Sequence, residues 1–287
     1  MSNVLRTLIF NGQVSLTVID GTEIVKEGAK LHNLSPASAY VFGKALAVMT
    51  YMSACLKEES GEISLSLKGN GQSGEIAVSG NRALRIRGYI ENTDMAGCEN
   101  PEAESCALGN SGSLTIIRDD GYNRPFIGAC ALPGFGGVDE AFEEYYRISE
   151  QLPTRIKSGV EMLENGEIAF AGAVVLQPLP FASDEVLDKV YDANLDELLS
   201  LIKTQGIEGV AARFDCDKTV WDSRKAAYRC NCSKHYLSRV LVSLGEDSLR
   251  EIIREDGAAR IHCHYCNTDY EFTNEDADKI FARKKKD

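Results

Sequence analysis

Hydrophobic and polar positions alternate, at least in part, over residues 14–19, 63–67, 76–78, 84–90, 114–117, 156–162 and 168–176. This is the pattern of strands that bury one face. Gly69-Asn70-Gly71 and Asp119-Asp120-Gly121 supply turns between some of them. Two helices interrupt the series. Ser35-Pro36 offers an N-cap followed by a proline at the first helical position, and the helix behind it is predicted to reach about residue 56. It is apolar nearly all round, so burial is expected. Val138, Phe142, Tyr145, Tyr146 and Ser149 follow helical spacing, and Pro153 closes that segment. Strands grouped around few helices, without regular strand–helix alternation, predict an α+β fold.

Past residue 180 the pattern changes. Ser183-Asp184-Glu185 opens a helix; Val186, Leu187, Val190 and Tyr191 make one stripe, and Leu195, Leu198, Leu199 and Ile202 make another that ends at Gly206. Acidic residues between the apolar ones predict only modest docking of these helices. Leu237, Val240, Leu241 and Leu244 form a further helical stripe stopped by Gly245, and 247–255 reads as a helix stopped by Gly257. Residues 259–262 look extended, and Tyr270-Glu271-Phe272 returns as a short strand. Three zones result: an α+β core domain over 1–180 with all seven prolines, a helical linker over 181–229, and a small domain over 230–287 with four of the nine cysteines.

The chain has 287 residues and a net charge of −12, and no zone is basic, which argues against a nucleic-acid partner. Its longest apolar run, 45–56, is short of the roughly 20 residues a bilayer span requires, and the N-terminus shows no signal-peptide pattern. A cytoplasmic protein is expected, with no membrane partner. The nucleophile elbow, the zinc-protease helix motif and the phosphate loop are all missing, so the sequence carries no hydrolase signature of these kinds. Gly69 to Gly74 matches the glycine pattern of dinucleotide sites, but an alternating strand follows where a helix is required, so it reads as a β-turn. His32 reads as a capping or surface residue.

Cysteine spacing carries the strongest chemistry. Cys98 and Cys106 share a polar loop; in a reducing compartment they read as free thiols, with a disulfide as the reading under oxidation. Cys55 and Cys130 read as small core residues, and the acidic neighbours of Cys216 make it a poor nucleophile. Cys230-Asn231-Cys232 and Cys263-His264-Tyr265-Cys266 form two close pairs, the arrangement of a tetrahedral four-sulfur zinc site. One Zn2+ per chain, held by Cys230, Cys232, Cys263 and Cys266, is therefore expected. A zone this small should need that metal to stay folded. Four thiolates on one zinc ion carry a net charge of about −2; Arg229, Lys234, His235, His262 and His264 stand near in sequence and can offset it. Metal-bound thiolates stay nucleophilic toward oxidants, so spacing leaves open whether the site is structural or a switch.

These motifs resemble the heat-shock protein 33 family, redox-regulated chaperones of bacteria, over essentially the whole chain. The most specific part is Cys230-Asn231-Cys232-Ser233 with Cys263-His264-Tyr265-Cys266 and the trailing Tyr270-Glu271-Phe272. Two further blocks match: 145–154, and 171–180, where Gly172 stands alone in place of the two adjacent glycines usual in the family. Residues 91–110 and Cys216 look peculiar to this chain. The resemblance implies a cytoplasmic, ATP-independent holdase, latent when reduced and zinc-bound. Oxidation would join Cys230 to Cys232 and Cys263 to Cys266, release zinc, loosen the linker and let homodimers bind unfolding client proteins. Two rival readings are a zinc-ribbon interaction or nucleic-acid module, and a thiol–disulfide oxidoreductase using Cys263 and Cys266. The absence of a basic, aromatic stripe weighs against nucleic acid, and the extended flanks of the Cys-x-x-Cys weigh against the oxidoreductase.

Overall fold

The computed structural model describes residues 2–95, 98, 104–134, 136–214 and 222–284. Cys216 lies outside them. In chain order the first elements are β1 (Ser2–Ile9), β2 (Val14–Asp20), α1 (Thr22–Leu31) and α2 (Pro36–Ala54). A meander follows: β3 (Glu62–Gly69), β4 (Glu75–Asn81) and β5 (Arg85–Ile90). The short α3 (Glu104–Leu108) leads to β6 (Gly112–Asp119) and β7 (Phe126–Ala131), and α4 (Val138–Tyr145) runs into a π-helical turn at Tyr146–Glu150. β8 (Arg155–Met162), β9 (Ile168–Pro178), α5 (Asp184–Tyr191), α6 (Leu195–Ala211) and β10 (Asp222–Tyr228) complete the first of two compact units, Met1–Arg229. The second, Cys230–Asp287, holds α7 (Lys234–Leu244), α8 (Glu246–Asp256), the hairpin β11 (Ala259–Cys263) and β12 (Thr268–Phe272), and α9 (Asn274–Lys284). The fold is α+β.

Ten strands of the first unit form one sheet in the order β7-β6-β3-β4-β5-β10-β1-β2-β9-β8. Every neighbouring pair is antiparallel except β10 and β5, which meet in parallel over Ala227↔Arg85 and Tyr228↔Ile86. Ser35 caps α2 as its spacing predicts, accepting from the backbone N–H of Ser38. All of α2 except Pro36 and Tyr40 is buried, and its apolar side chains join those of β3 to β6 and α4 in the main core. Alternate residues on β1, β2 and β9 point to opposite cores: Val4, Ile19, Ala173 and Val175 to this one, Leu5, Leu16, Val18 and Val174 to a second. Burial on both faces explains why β9 reads as a nearly continuous apolar run.

The second core lies under α5 and α6. Val186, Val190, Leu195, Leu198, Ile202, Ile207 and Val210 are buried there. Each such side chain contributes about 1.5–3 kcal/mol of transfer free energy, so the docking is broader than the interspersed acids suggest. Gly206 does not end the run. It takes φ 71° and ψ −179°, a break that glycine accommodates, and the helix resumes to Ala211. The zone after it is not wholly helical either: Asp222–Tyr228 is a strand. Its polar sequence carries little apolar period, and hydrogen bonding to the sheet decides its conformation.

One further result departs from the sequence reading and another extends it. Cys98 and Cys106 are joined in a disulfide, with Cα atoms 6.1 Å apart; tertiary packing of α3 brings together two thiols that composition alone leaves free. The glycine-rich segment 69–74 is a turn, as expected, but it also holds α3: the backbone N–H groups of Gly71, Gln72 and Ser73 donate to the carbonyls of Leu108, Cys106 and Ala107. A Cβ at Gly71 would lie 2.4 Å from the Ala107 oxygen, so this close approach requires glycine.

Inside the main core, Lys44 is 3% exposed and its Nζ lies 2.8 Å from Glu104 Oε2 and 3.0 Å from Asp139 Oδ2. Burial works against its charge, but the two carboxylates hold the ammonium protonated. Asp139 also accepts from Ser158 N (3.1 Å) and from the Ser158 hydroxyl, and Glu104 accepts from Val138 N (2.9 Å). The network ties α2, α3, α4 and β8 together. Lys44→Ala leaves Asp139 buried without its cation and should lower the unfolding free energy by about 3–5 kcal/mol in urea titrations. Lys44→Met combined with Asp139→Asn should recover part of that loss.

Candidate metal centre

The second unit has a small core of its own: Leu241, Leu249, Ile253, Ala259, Phe272, Ala277 and Phe281. Four cysteines gather beside it from two stretches of chain. Cys230 and Cys232 precede α7, whose N-cap Ser233 accepts from Tyr236 N at 3.1 Å. Cys263 ends β11, and Cys266 sits in the turn before β12, where its N–H donates to the Cys263 carbonyl at 3.3 Å. Asn267, at φ 48°, completes this turn in the left-handed region that asparagine tolerates. The hairpin register Cys263↔Thr268 thus fixes both thiols of the Cys-x-x-Cys.

The four sulfurs lie within 4.8 Å of one another and are half-buried. Cys230 Sγ is 3.8 Å from Cys263 Sγ, and Cys232 Sγ is 3.0 Å from Cys266 Sγ. A tetrahedral ion with metal–sulfur bonds of about 2.3 Å sets its sulfurs about 3.8 Å apart. The set can therefore hold such an ion with small adjustment. Burial raises the Cys230 and Cys232 thiols above the ordinary cysteine value. Burial opposes ionisation of Cys266 too, but hydrogen bonding, chiefly from Cys232, brings that thiol below it. A shared thiol cluster of this kind gains most from a cation at its centre.

The surroundings differ from the sequence picture in two ways. Lys234 and His262, placed near the thiolates by sequence, face carboxylates: Lys234 Nζ is 2.8 Å from Asp276 Oδ2, and His262 Nδ1 is 2.8 Å from Asp269 Oδ1. His264 packs edge-on to His262, with ring centroids 4.9 Å apart. Tyr270, singled out only as part of a strand, brings its hydroxyl to 3.1 Å from Cys232 Sγ, and that contact raises the phenol's pKa. The period of two along β12 sets Tyr270 on the same face as the buried Phe272, which was the available signal. Cys55 and Cys130 are unpaired in the first unit, Cys130 buried and Cys55 half-buried, as small core residues should be.

A large mixed sheet followed by a small unit with four converging thiols defines a thiol-rich protein with a candidate metal centre. Among the described residues no helix is long and apolar enough to cross a membrane. The family model described as Hsp33 protein matches residues 2–273. The 33 kDa chaperonin of Clostridium perfringens strain SM101 is 31% identical, the match covering 99% of this chain and 92% of that protein. That of Bacillus licheniformis is 29% identical, over 98% and 99% respectively. The crystal structure of the 33 kDa chaperonin from Thermotoga maritima superimposes with a TM-score of 0.81 at 22% identity, over 99% of both chains. The chain belongs to the Hsp33 family.

Chelation should act on one unit and spare the other. A core as small as that around Phe272 gives little stability of its own, and an ion held by the four thiols would add to it. Amide exchange after treatment with a strong chelator is expected to quicken across residues 234–282 and to stay unchanged in α2 and β2.

Proposed function

We propose that the protein is a redox-regulated, ATP-independent holdase that acts by binding unfolding proteins and not by catalysis. The observation that carries this reading is the convergence of four thiols in a chain of the Hsp33 family; the relatives' name, 33 kDa chaperonin, supports the chaperone part. Cys230, Cys232, Cys263 and Cys266 would hold one Zn2+ per chain. Bound zinc supplies a compact positive charge that favours four thiolates in one place. Tyr270 orients the Cys232 sulfur.

Under hydrogen peroxide each thiol pair loses two protons and two electrons and becomes a disulfide, while one peroxide becomes two waters. The family resemblance assigns the pairs as Cys230–Cys232 and Cys263–Cys266. Disulfide sulfurs no longer serve as thiolate ligands, and the small unit is then left to a core that cannot hold it. Cys230 follows β10 by two residues, so loosening would pass along the chain into residues 181–229. Release of α5 and α6 would open the apolar face of Leu5, Leu16, Val18 and Val174 to clients, with homodimers as the active form and the cytoplasm as the place of action. The linker role of 181–229 and the switch role of 230–287 are part of this proposal.

The test is light scattering of a thermally unfolding protein, with zinc counted in parallel. Reduced protein should carry one zinc and protect poorly; peroxide-treated protein should have lost it and protect well. Equal protection by both samples would overturn the redox switch. Peptide mapping checks the pairing, and a Cys232–Cys266 bond in place of the two assigned ones would show the assignment to be wrong. Tyr270→Phe should keep the fold and weaken zinc retention roughly tenfold in chelator competition, the scale of outer-shell hydrogen bonds to metal ligands.

A further inference from the structure

We infer that Cys98 and Cys106 form a second redox site, separate from the four-cysteine centre, whose oxidation clamps the core unit. Described backbone contacts hold α3 on one side of the pair and Cys98 on the other. Cys106 lies in α3, whose carbonyls at Cys106, Ala107 and Leu108 accept from Gln72, Ser73 and Gly71 at 3.0, 2.9 and 3.1 Å. On the other side Met95 is buried, and its carbonyl accepts from the N–H of Cys98, which is itself 9% exposed. The Cα separation of 6.1 Å falls in the range of about 4.4–6.8 Å that a disulfide spans without backbone movement.

The bond closes onto the part of the core that holds its buried charge. Glu104 stands two residues before Cys106 and joins Lys44 of α2 to the N-terminal backbone of α4. A crosslink from Cys98 to Cys106 therefore gathers the chain beyond β5, the 69–74 turn, α2 and α4 around one point. Among the described residues, the one cluster of three or more metal-ligating side chains is the four-cysteine set. Closing the Cys98–Cys106 bond thus removes no ligand from a metal.

The chemistry is a two-electron oxidation. Cys106 is the more exposed thiol and the first to react: its sulfur attacks hydrogen peroxide, becoming a sulfenic acid and releasing one water. The Cys98 thiol then displaces hydroxide from that sulfur, which leaves as the second water once protonated, and the S–S bond forms. A thiol reductant reverses it. The consequence, which rests on the proposed function, is that one oxidant has opposite effects on the two units. It dismantles the small one and fastens the large one, so the core stays folded while its partner unit opens.

The test uses the full chain loaded with zinc. Graded peroxide, quenching with a maleimide and peptide mapping should give a Cys98–Cys106 crosslink in protein that still holds its zinc. Amide exchange at 70–73 and 105–108 should then be slower in oxidised than in reduced wild type by roughly tenfold or more, the scale expected of a short-loop crosslink. Cys98→Ser/Cys106→Ser should match the reduced wild type in both conditions. The wild-type comparison needs no variant and stands if the double variant folds poorly. Absence of the crosslink at every dose, or equal exchange in oxidised and reduced wild type, would overturn the inference. A crosslink with slowed exchange, in protein that never loses zinc, supports the clamp and defeats the proposed switch instead.

Discussion

The structure of the first unit follows from a helix that has no face to give to water. Because α2 is buried along almost its whole length, elements must close on it from every side, and β3 to β5, β8, β9, α1 and α4 do so. A single lysine lies within that shell, and it can stay there because Glu104 and Asp139 reach it from α3 and α4. The C-terminal end of α2 is met in the same way: Arg6 and Arg224 both donate to the Ala54 carbonyl, at 2.9 and 2.7 Å, where cations suit the end of a helix.

How much of this was legible in the sequence depends on where each element finds its stability. α2, α4 and most strands were readable because burial of one face, or of all faces, leaves a period. β1 was not: Leu5 and Val4 serve opposite cores, so its apolar residues are adjacent and no alternation appears. β10 was hidden for the opposite reason. Its fully buried position is Ala226, and the strand is placed by backbone pairing, by Arg224 and by the Tyr228 hydroxyl donating to Gly88 O at 2.7 Å. At the metal centre, paired cysteines announce themselves by spacing, since ligands on tight turns must be close in sequence. The Tyr270 contact left only the period of two along β12, and the spacing of Cys98 and Cys106 left their bond undecided, because it depends on the tertiary placement of α3.

The two units are stabilised by different means. The first rests on two apolar cores that lie on opposite faces of a sheet, and oxidation leaves such contacts untouched. The second has few buried side chains and gathers four sulfurs that can hold a metal ion. β10 stands between these regimes. It is held by backbone hydrogen bonds to β1 and β5, worth about 0.5–1.5 kcal/mol each net of water, and by the side chains of Arg224, Ala226 and Tyr228.

The pairing of β1 with β10 joins the beginning of the first unit to its end. A ribosome delivers Ser2–Ile9 early and Asp222–Tyr228 late. At roughly 5–20 residues per second, β1 and β5 wait on the order of ten seconds for the strand that lies between them. During that interval their facing edges have backbone donors and acceptors with no partner, the condition under which nascent chains pair wrongly. The long-range closure therefore makes β10 a late step in the birth of the molecule, and the growing chain is most vulnerable to aggregation until that step is complete.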